Sequence, residues 1–134
     1  MDTITLLKPS GLVSSPAFSH VAVVPPGATT IYVGGQNGVN ESGALVSDEP
    51  GAQTRRTMDN LVTALESAGA SLSDVISMTV LLKDGVDVGA AYAVEAERLA
   101  AVQPPPLVTG AMVSALGVPG AVVEVAAIAA VMPA

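Results

Sequence analysis

Hydrophobic residues alternate with polar or smaller ones along several short segments, with the period of two that a β-strand requires. The clearest segment is 75–83, in which Ile76, Met78, Val80 and Leu82 would share one face. Further β-prone segments are separated by glycine, proline or polar clusters, and they are 3–7, 20–24, 29–33, 107–116 and 121–131. The pattern therefore predicts six strands, of which the third stops at the Gly34-Gly35 pair.

Two segments have helical spacing instead. From residue 53 to residue 68, apolar side chains recur every three or four positions, and Gly69 is a natural end for this helix. Residues 88–102 are rich in alanine and are followed by prolines, so they predict a second helix. Residues 71–74 have the spacing of a capping box, enough for one turn. The order of elements indicates an α+β fold with helices on one face of a sheet.

Composition adds an argument about assembly. The chain has 134 residues, which fits a single domain spanning residues 1–134. Half of the residues (50%) are hydrophobic, yet only 2% are aromatic and 13% are charged. Small aliphatic side chains fill an isolated core poorly, and so little charge leaves apolar surface to be covered. We therefore expect the chain to bury part of this surface against copies of itself.

Charge and residue usage exclude several classes of function. The formal net charge is -7, which disfavours binding to nucleic acid or to anionic membranes. The chain has no cysteine, one histidine (His20) and no metal-binding spacing of its acidic residues, so we expect no metal and no other cofactor. We interpret His20 as a hydrogen-bonded strand residue, with a general base as the alternative. Residues 1–10 lack the apolar core of a signal peptide, so we expect a cytoplasmic protein.

Glu124 is the one charged residue in the apolar segment 121–131. Burial of an unpaired carboxylate is unfavourable by several kcal/mol unless the group is protonated or paired. Three interpretations remain open. Glu124 has a structural partner, it lies in a ligand pocket, or it reaches water at the edge of a strand.

The middle of the chain resembles the RidA family, also called YjgF. The residues that carry the resemblance are QTRRTMDNL at 53–61, AGASLSDV at 68–75 and TVLLKD at 79–84, in the family's order and spacing. YVGGQ at 32–36 is similar to the family's F-V-S-G-Q, and PGAVVEV at 119–125 is similar to its closing strand.

This resemblance implies a fold, an assembly and an activity. The fold would be similar to chorismate mutase, with a six-stranded sheet packed against two helices. Three subunits would close their sheets into a central barrel, with a small-molecule cleft at each subunit interface. The family's best-known activity is hydrolysis of reactive enamines and imines such as 2-aminoacrylate. In that reaction an arginine holds the substrate carboxylate, and a glutamate, matched here by Glu124, holds or activates the attacking water.

Three of the matched cleft positions depart from the family. Its P-A-R-S/T motif falls on residues 106–109, so Val108 replaces the arginine and Thr109 keeps the hydroxyl. Phe18 stands in place of a tyrosine, and Gly34 in place of a serine. We therefore predict Glu124 as the catalytic residue and Phe18, Gly34, Val108 and Thr109 as substrate-binding residues. The substrate would be less anionic than 2-aminoacrylate.

Two other functions and one other arrangement of the cleft stay open. The trimer could bind a small metabolite without catalysis. The endoribonuclease or translation-inhibitor role attached to the family name is the least favoured, because the chain is acidic. Arg55 or Arg98 could also reach the cleft from a neighbouring subunit and replace the missing arginine.

Overall fold

The structure is a computed structural model that describes residues 2–134. It contains six strands and two α-helices in the predicted order. The strands are β1 (Thr5–Leu7), β2 (Val21–Val23), β3 (Thr29–Gln36), β4 (Val75–Lys83), β5 (Leu107–Val113) and β6 (Val123–Val131), and the helices are α1 (Pro50–Ser67) and α2 (Val88–Leu99). The predicted α+β class is confirmed.

The strands form two sheets, so the expectation of one six-stranded sheet is corrected. The larger sheet is mixed and has the order β3-β6-β4-β5, with β4 and β5 parallel and the other pairs antiparallel. The smaller sheet is the antiparallel pair β1-β2. A single bridge between Ser19 and Leu107 connects the small sheet to the edge strand β5. The prolines at 104–106 have no N–H groups, so the ladder cannot extend along them.

The two helices cover one face of the larger sheet. Met58, Leu61 and Leu65 of α1 are fully buried and belong to the same core cluster as the sheet residues Met78 and Val125. Helix α2 connects β4 to the parallel strand β5, as a parallel pair requires. It packs mainly against α1 and touches the sheet little. This difference between the helices leaves a space between α2 and the sheet.

Several predicted boundaries shift by a few residues. Helix α1 begins at Pro50 rather than at residue 53, because the fixed φ of proline suits the first helical position. Strand β3 continues through Gly34 and Gly35 to Gln36, with an irregularity in its pairing to β6. The second helix ends at Leu99, three residues before the predicted end. The predicted alternation along β4 fails at Val75, which is buried, because the register shifts between Val75 and Ser77.

The other face of the larger sheet is open among residues 2–134. Tyr32 projects from it with 77% of its surface exposed, and Thr79 and Ala111 are also exposed there. Ala126 and Ile128 of β6 are half-buried. No helix in the described part of the chain is long and apolar enough to cross a membrane.

Candidate functional site

A cavity of about 320 Å³ lies between α2 and the larger sheet. Helix α2 touches β4 and β5 little, and it contributes Val88, Ala91, Tyr92 and Glu95 to the lining. The floor of the cavity is the helix-facing side of the sheet, which contributes Val80, Leu82, Val108, Met112, Val123 and Val125.

One wall of the cavity is the loop before β2, which places Phe18 over the sheet. Neighbouring residues hold this loop. The Ser19 hydroxyl donates a 2.6 Å hydrogen bond to the carbonyl of Pro105, and the Ser19 N–H donates to the carbonyl of Pro106 at 3.0 Å. His20 lies edge-on to Phe18 with 5.4 Å between the ring centroids. The tight attachment of this loop gives Phe18 a defined position in the wall.

His20 has a structural place beside this wall. Its Nε2 atom lies 2.6 Å from the carbonyl oxygen of Val13, in hydrogen-bond contact. This contact closes the loop that carries Phe18. The hydrogen bond agrees with the structural interpretation of His20, but His20 precedes β2 and is not a strand residue as predicted. His20 does not line the cavity.

Three side chains with polar groups reach the cavity, and they come from the two helices. The Thr54 hydroxyl already donates to the carbonyl of Pro50 at 2.8 Å, so it has a partner within α1. Tyr92 of α2 lies at the margin with half of its surface exposed. Glu95, also on α2, is half-buried, and its carboxylate makes no hydrogen bond or ion pair with any of residues 2–134. Burial raises the pKa of the Glu95 carboxyl above its usual range.

Sequence reasoning missed Glu95, although a signal was present. Residues four positions apart on a helix lie on the same face, and Glu95 is flanked at this spacing by Ala91 and Leu99. Both of these residues are buried. A carboxylate between two buried apolar positions is unusual, but it is read as part of a charged stretch because Glu97 and Arg98 follow it.

The predicted site residues divide between the two sides of the sheet. Phe18 and Val108 both line the cavity. Thr109 follows Val108 on β5 and is exposed on the other face, because side chains alternate along a strand. Gly34 lies on β3, at the opposite edge of the sheet, and is exposed. Within one protomer the structure brings together only two of the five predicted residues.

Glu124 lies on the open face, away from the cavity. It pairs with Leu81 across β4 and β6, whereas its neighbours Val123 and Val125 face the helices. The carboxylate of Glu124 covers Gly35, where an added Cβ would be only 2.6 Å from Oε2. Glu124 is half-buried, and its carboxylate has no hydrogen-bond partner within residues 2–134. A structural partner inside the protomer is therefore not found in the described part of the chain.

No arginine or lysine of residues 2–134 lines the cavity. Arg98 of α2 forms an ion pair with Asp59 of α1, so its guanidinium is already paired between the two helices. Arg56 donates to the carbonyl of Val39 and to Asn60, each at 3.1 Å. Arg55 is exposed on α1. No side chain among residues 2–134 therefore supplies the cation that is missing at Val108.

The fold and the motifs agree with a comparison against known families. The profile of the family described as Endoribonuclease L-PSP matches residues 11–131. The chain belongs to this family, the RidA or YjgF family. The family's QTR motif begins at Gln53, on the first turn of α1.

Solved structures of the family share the whole fold. The Rid-family protein YyfB from Yersinia pestis, a protein of unknown function, is 26% identical, and the match covers 98% of this chain and 100% of that one with a TM-score of 0.79. RidA from the Antarctic bacterium Psychrobacter sp. is 27% identical over 98% of this chain and 100% of that one, with a TM-score of 0.69.

A similarity by sequence alone is shorter. A RutC family protein from Pyrococcus abyssi is 46% identical over 55 residues, which are 40% of this chain and 43% of that protein. The chain thus spans less than half the length of this curated relative.

Proposed function

We propose that this RidA-family protein hydrolyses imines or enamines whose organic group is apolar and carries no carboxylate. The observation that supports this proposal is the cavity, in which Val108 stands where the family has an arginine and the other floor residues are aliphatic. A carboxylate ligand would lose a charge-assisted contact worth about 1.5–3 kcal/mol and would meet Glu95 instead. An apolar ligand would lose nothing and would gain contact with the valines.

We propose that the site is completed in a homotrimer. The two edges of the larger sheet are β3 and β5, and the cavity lies on the β5 side while Gly34 lies on β3. A cyclic assembly joins two different surfaces of neighbouring subunits, so β3 of one subunit would approach β5 of the next. The half-buried apolar side chains of the open face would be covered at the same time. Light scattering that finds a monomer at micromolar concentration would contradict this assembly.

In such an assembly Glu124 would serve a neighbouring subunit. Its carboxylate lies next to β3 and has no partner within residues 2–134, so it is available to hold a water molecule at the interface. The water oxygen would attack the carbon of the C=N bond while Glu124 accepts a proton from that water. Glu124 would return this proton to the nitrogen, which gives a neutral carbinolamine. The C–N bond would then break as the hydroxyl proton passes to the departing nitrogen, which leaves a carbonyl compound and ammonia. A positioned base of this kind contributes a factor of about 10²–10⁴.

The test compares two imines that differ in charge. One is 2-iminopropionate, generated from alanine by an amino acid oxidase, and the other is the aldimine generated from n-butylamine by an amine oxidase. We expect the protein to accelerate ammonia release from the second and to act weakly on the first. Equal acceleration of both imines would refute the proposed preference.

A variant adds a control from within the site. Val108→Arg should raise hydrolysis of 2-iminopropionate about tenfold or more, because a cation then faces the carboxylate. Val46→Arg, at an exposed position that does not line the cavity, adds the same charge elsewhere and should have no such effect. If both variants behave alike, the cavity is not where the substrate carboxylate would bind.

A binding protein without catalysis is the second candidate. The polar groups of the cavity within one protomer are few, and the Thr54 hydroxyl is already hydrogen-bonded. Ligand-dependent thermal stabilisation without ammonia release would favour this candidate. We do not favour ribonuclease activity or any other binding of nucleic acid, because the net charge is -7.

A further inference from the structure

We propose that Glu95 makes the cavity a site for a cationic nitrogen, so that its ligands are protonated amines or iminium ions with a small aliphatic body. The proposal rests on the proposed function only in taking this cavity as the ligand site. Glu95 is the one charged residue of the described chain that lines the cavity. It also lines a smaller cavity of about 180 Å³, as Tyr92 does, so Glu95 borders both spaces.

The surroundings of Glu95 lack any compensating positive charge. No lysine, arginine or histidine of residues 2–134 lines either space. The nearest arginine along the helix, Arg98, is engaged by Asp59 of α1. A carboxylate that has lost water and gained no partner gains most from a cation placed beside it. The burial that raises the pKa of Glu95 is the same feature that a bound cation would offset.

The other walls define the rest of the ligand. Val80, Leu82 and Val125 offer only aliphatic contact, which suits a hydrocarbon group. The volume lies at the lower end of the range of small-molecule pockets, so the group must be small. Tyr92 precedes Glu95 by three positions on α2 and lines the same cavity, and an aromatic ring next to a carboxylate further favours a cation.

The experiment measures binding without turnover, by calorimetry near neutral pH on the full chain. The probes are n-butylamine, n-butanol and butyrate, which share an aliphatic body and differ in charge. We expect n-butylamine to bind at least about tenfold more tightly than n-butanol, as a hydrogen bond to a charged group implies. Butyrate should bind more weakly than either of the other two.

Two glutamine variants locate the effect. Glu95→Gln keeps the shape of the side chain and should remove the preference for the amine while n-butanol still binds. Glu97→Gln, on the same helix but exposed and outside both cavities, should leave the preference intact. Circular dichroism on each variant verifies that it is folded.

Three outcomes would overturn the proposal. They are an amine preference that survives Glu95→Gln, equal binding of amine and alcohol to the unaltered protein, and no binding of any of the probes. A preference that depends on Glu95 without any imine hydrolysis would instead support this proposal and refute the catalytic one. Hydrolysis of the aldimine from n-butylamine, without any preference for binding the amine, would refute this proposal and support the catalytic one.

Discussion

Replacement of Gln53 should destabilise the protein strongly, although Gln53 belongs to the family's QTR motif and not to the cavity. Its side chain is fully buried. The Nε2 group donates to the carbonyls of Ser47 at 3.0 Å and Gly120 at 3.1 Å, and Oε1 accepts from the N–H of Val122 at 2.9 Å. One amide therefore joins the loop before α1, the turn before β6 and the first turn of α1.

The magnitude follows from these three bonds. Gln53→Leu keeps most of the volume and removes all three, each with a net contribution of about 1 kcal/mol. Ser47, Gly120 and Val122 are not fully buried, so water can reach their backbone groups in part and the larger penalty for isolated groups does not apply. The expected loss is about 3 kcal/mol, which corresponds to a decrease in Tm of about 10 °C for a chain of this size.

The assay is urea unfolding followed by far-UV circular dichroism at one fixed protein concentration, because the proposed subunit association would make stability depend on concentration. Thr57→Val is the matched control. Thr57 is also fully buried on α1, but its hydroxyl donates only to the carbonyl of Gln53 within the helix, at 2.8 Å. That control should lose less than about 1 kcal/mol. If Gln53→Leu is as stable as Thr57→Val, the three hydrogen bonds of Gln53 do not contribute the expected stability.

Three further predictions concern other parts of the molecule. Gly35→Ala places a Cβ 2.6 Å from Oε2 of Glu124, so the flexible carboxylate must move. We expect a small change in Tm but at least about a tenfold decrease in imine hydrolysis. Gly117→Ala is the control that should have no effect, because its Cβ meets nothing within 4 Å. Unchanged hydrolysis in Gly35→Ala would exclude Glu124 from the reaction. Burial raises the pKa of Glu95 from 4.5 in the folded state, so its favourable contribution to stability is present at low pH and is lost as pH rises from about 4.5 through the folded pKa. In a series of Tm measurements against pH, Glu95→Gln should flatten this decline. At neutral pH it should be more stable than the unaltered protein. Asp59→Asn breaks a partly exposed ion pair with Arg98 and should lower the free energy of unfolding by less than about 1 kcal/mol in urea; a larger loss would mean that this pair holds α2 in place.

Local patterns predicted the elements of the fold because strand and helix periods are properties of neighbouring residues. The bounds of β4 agree with the predicted segment 75–83, and the turn at residues 71–74 forms with the Ser71 N–H donating to the carboxylate of Asp74 at 2.9 Å. The family could be identified for the same reason, since its motifs are short and contiguous. The predicted boundaries were less accurate next to a proline or a glycine pair, as at Pro50 and at Gly34. There the local sequence is compatible with more than one end of the element.

The candidate site could be predicted only in part. Phe18 and Val108 come from separate segments, and both line the cavity. Glu95 was not found, because its burial depends on how far α2 stands from the sheet, and that distance depends on packing between the helices. The small side chains along α2 are visible in the sequence, but they do not show whether the helix is loosely packed against the sheet or against α1.

The sequence by itself determined the order of strands and helices, the α+β class, the family and the absence of a cation at Val108. Only the tertiary structure decided that Val108 and Glu124 lie on opposite faces of the sheet. Val108 is level with Met78 and Glu124 is level with Leu81, and these registers come from pairing between strands that are distant in the chain. A shift of one residue in either register would move a side chain to the other face, and no local pattern specifies that choice.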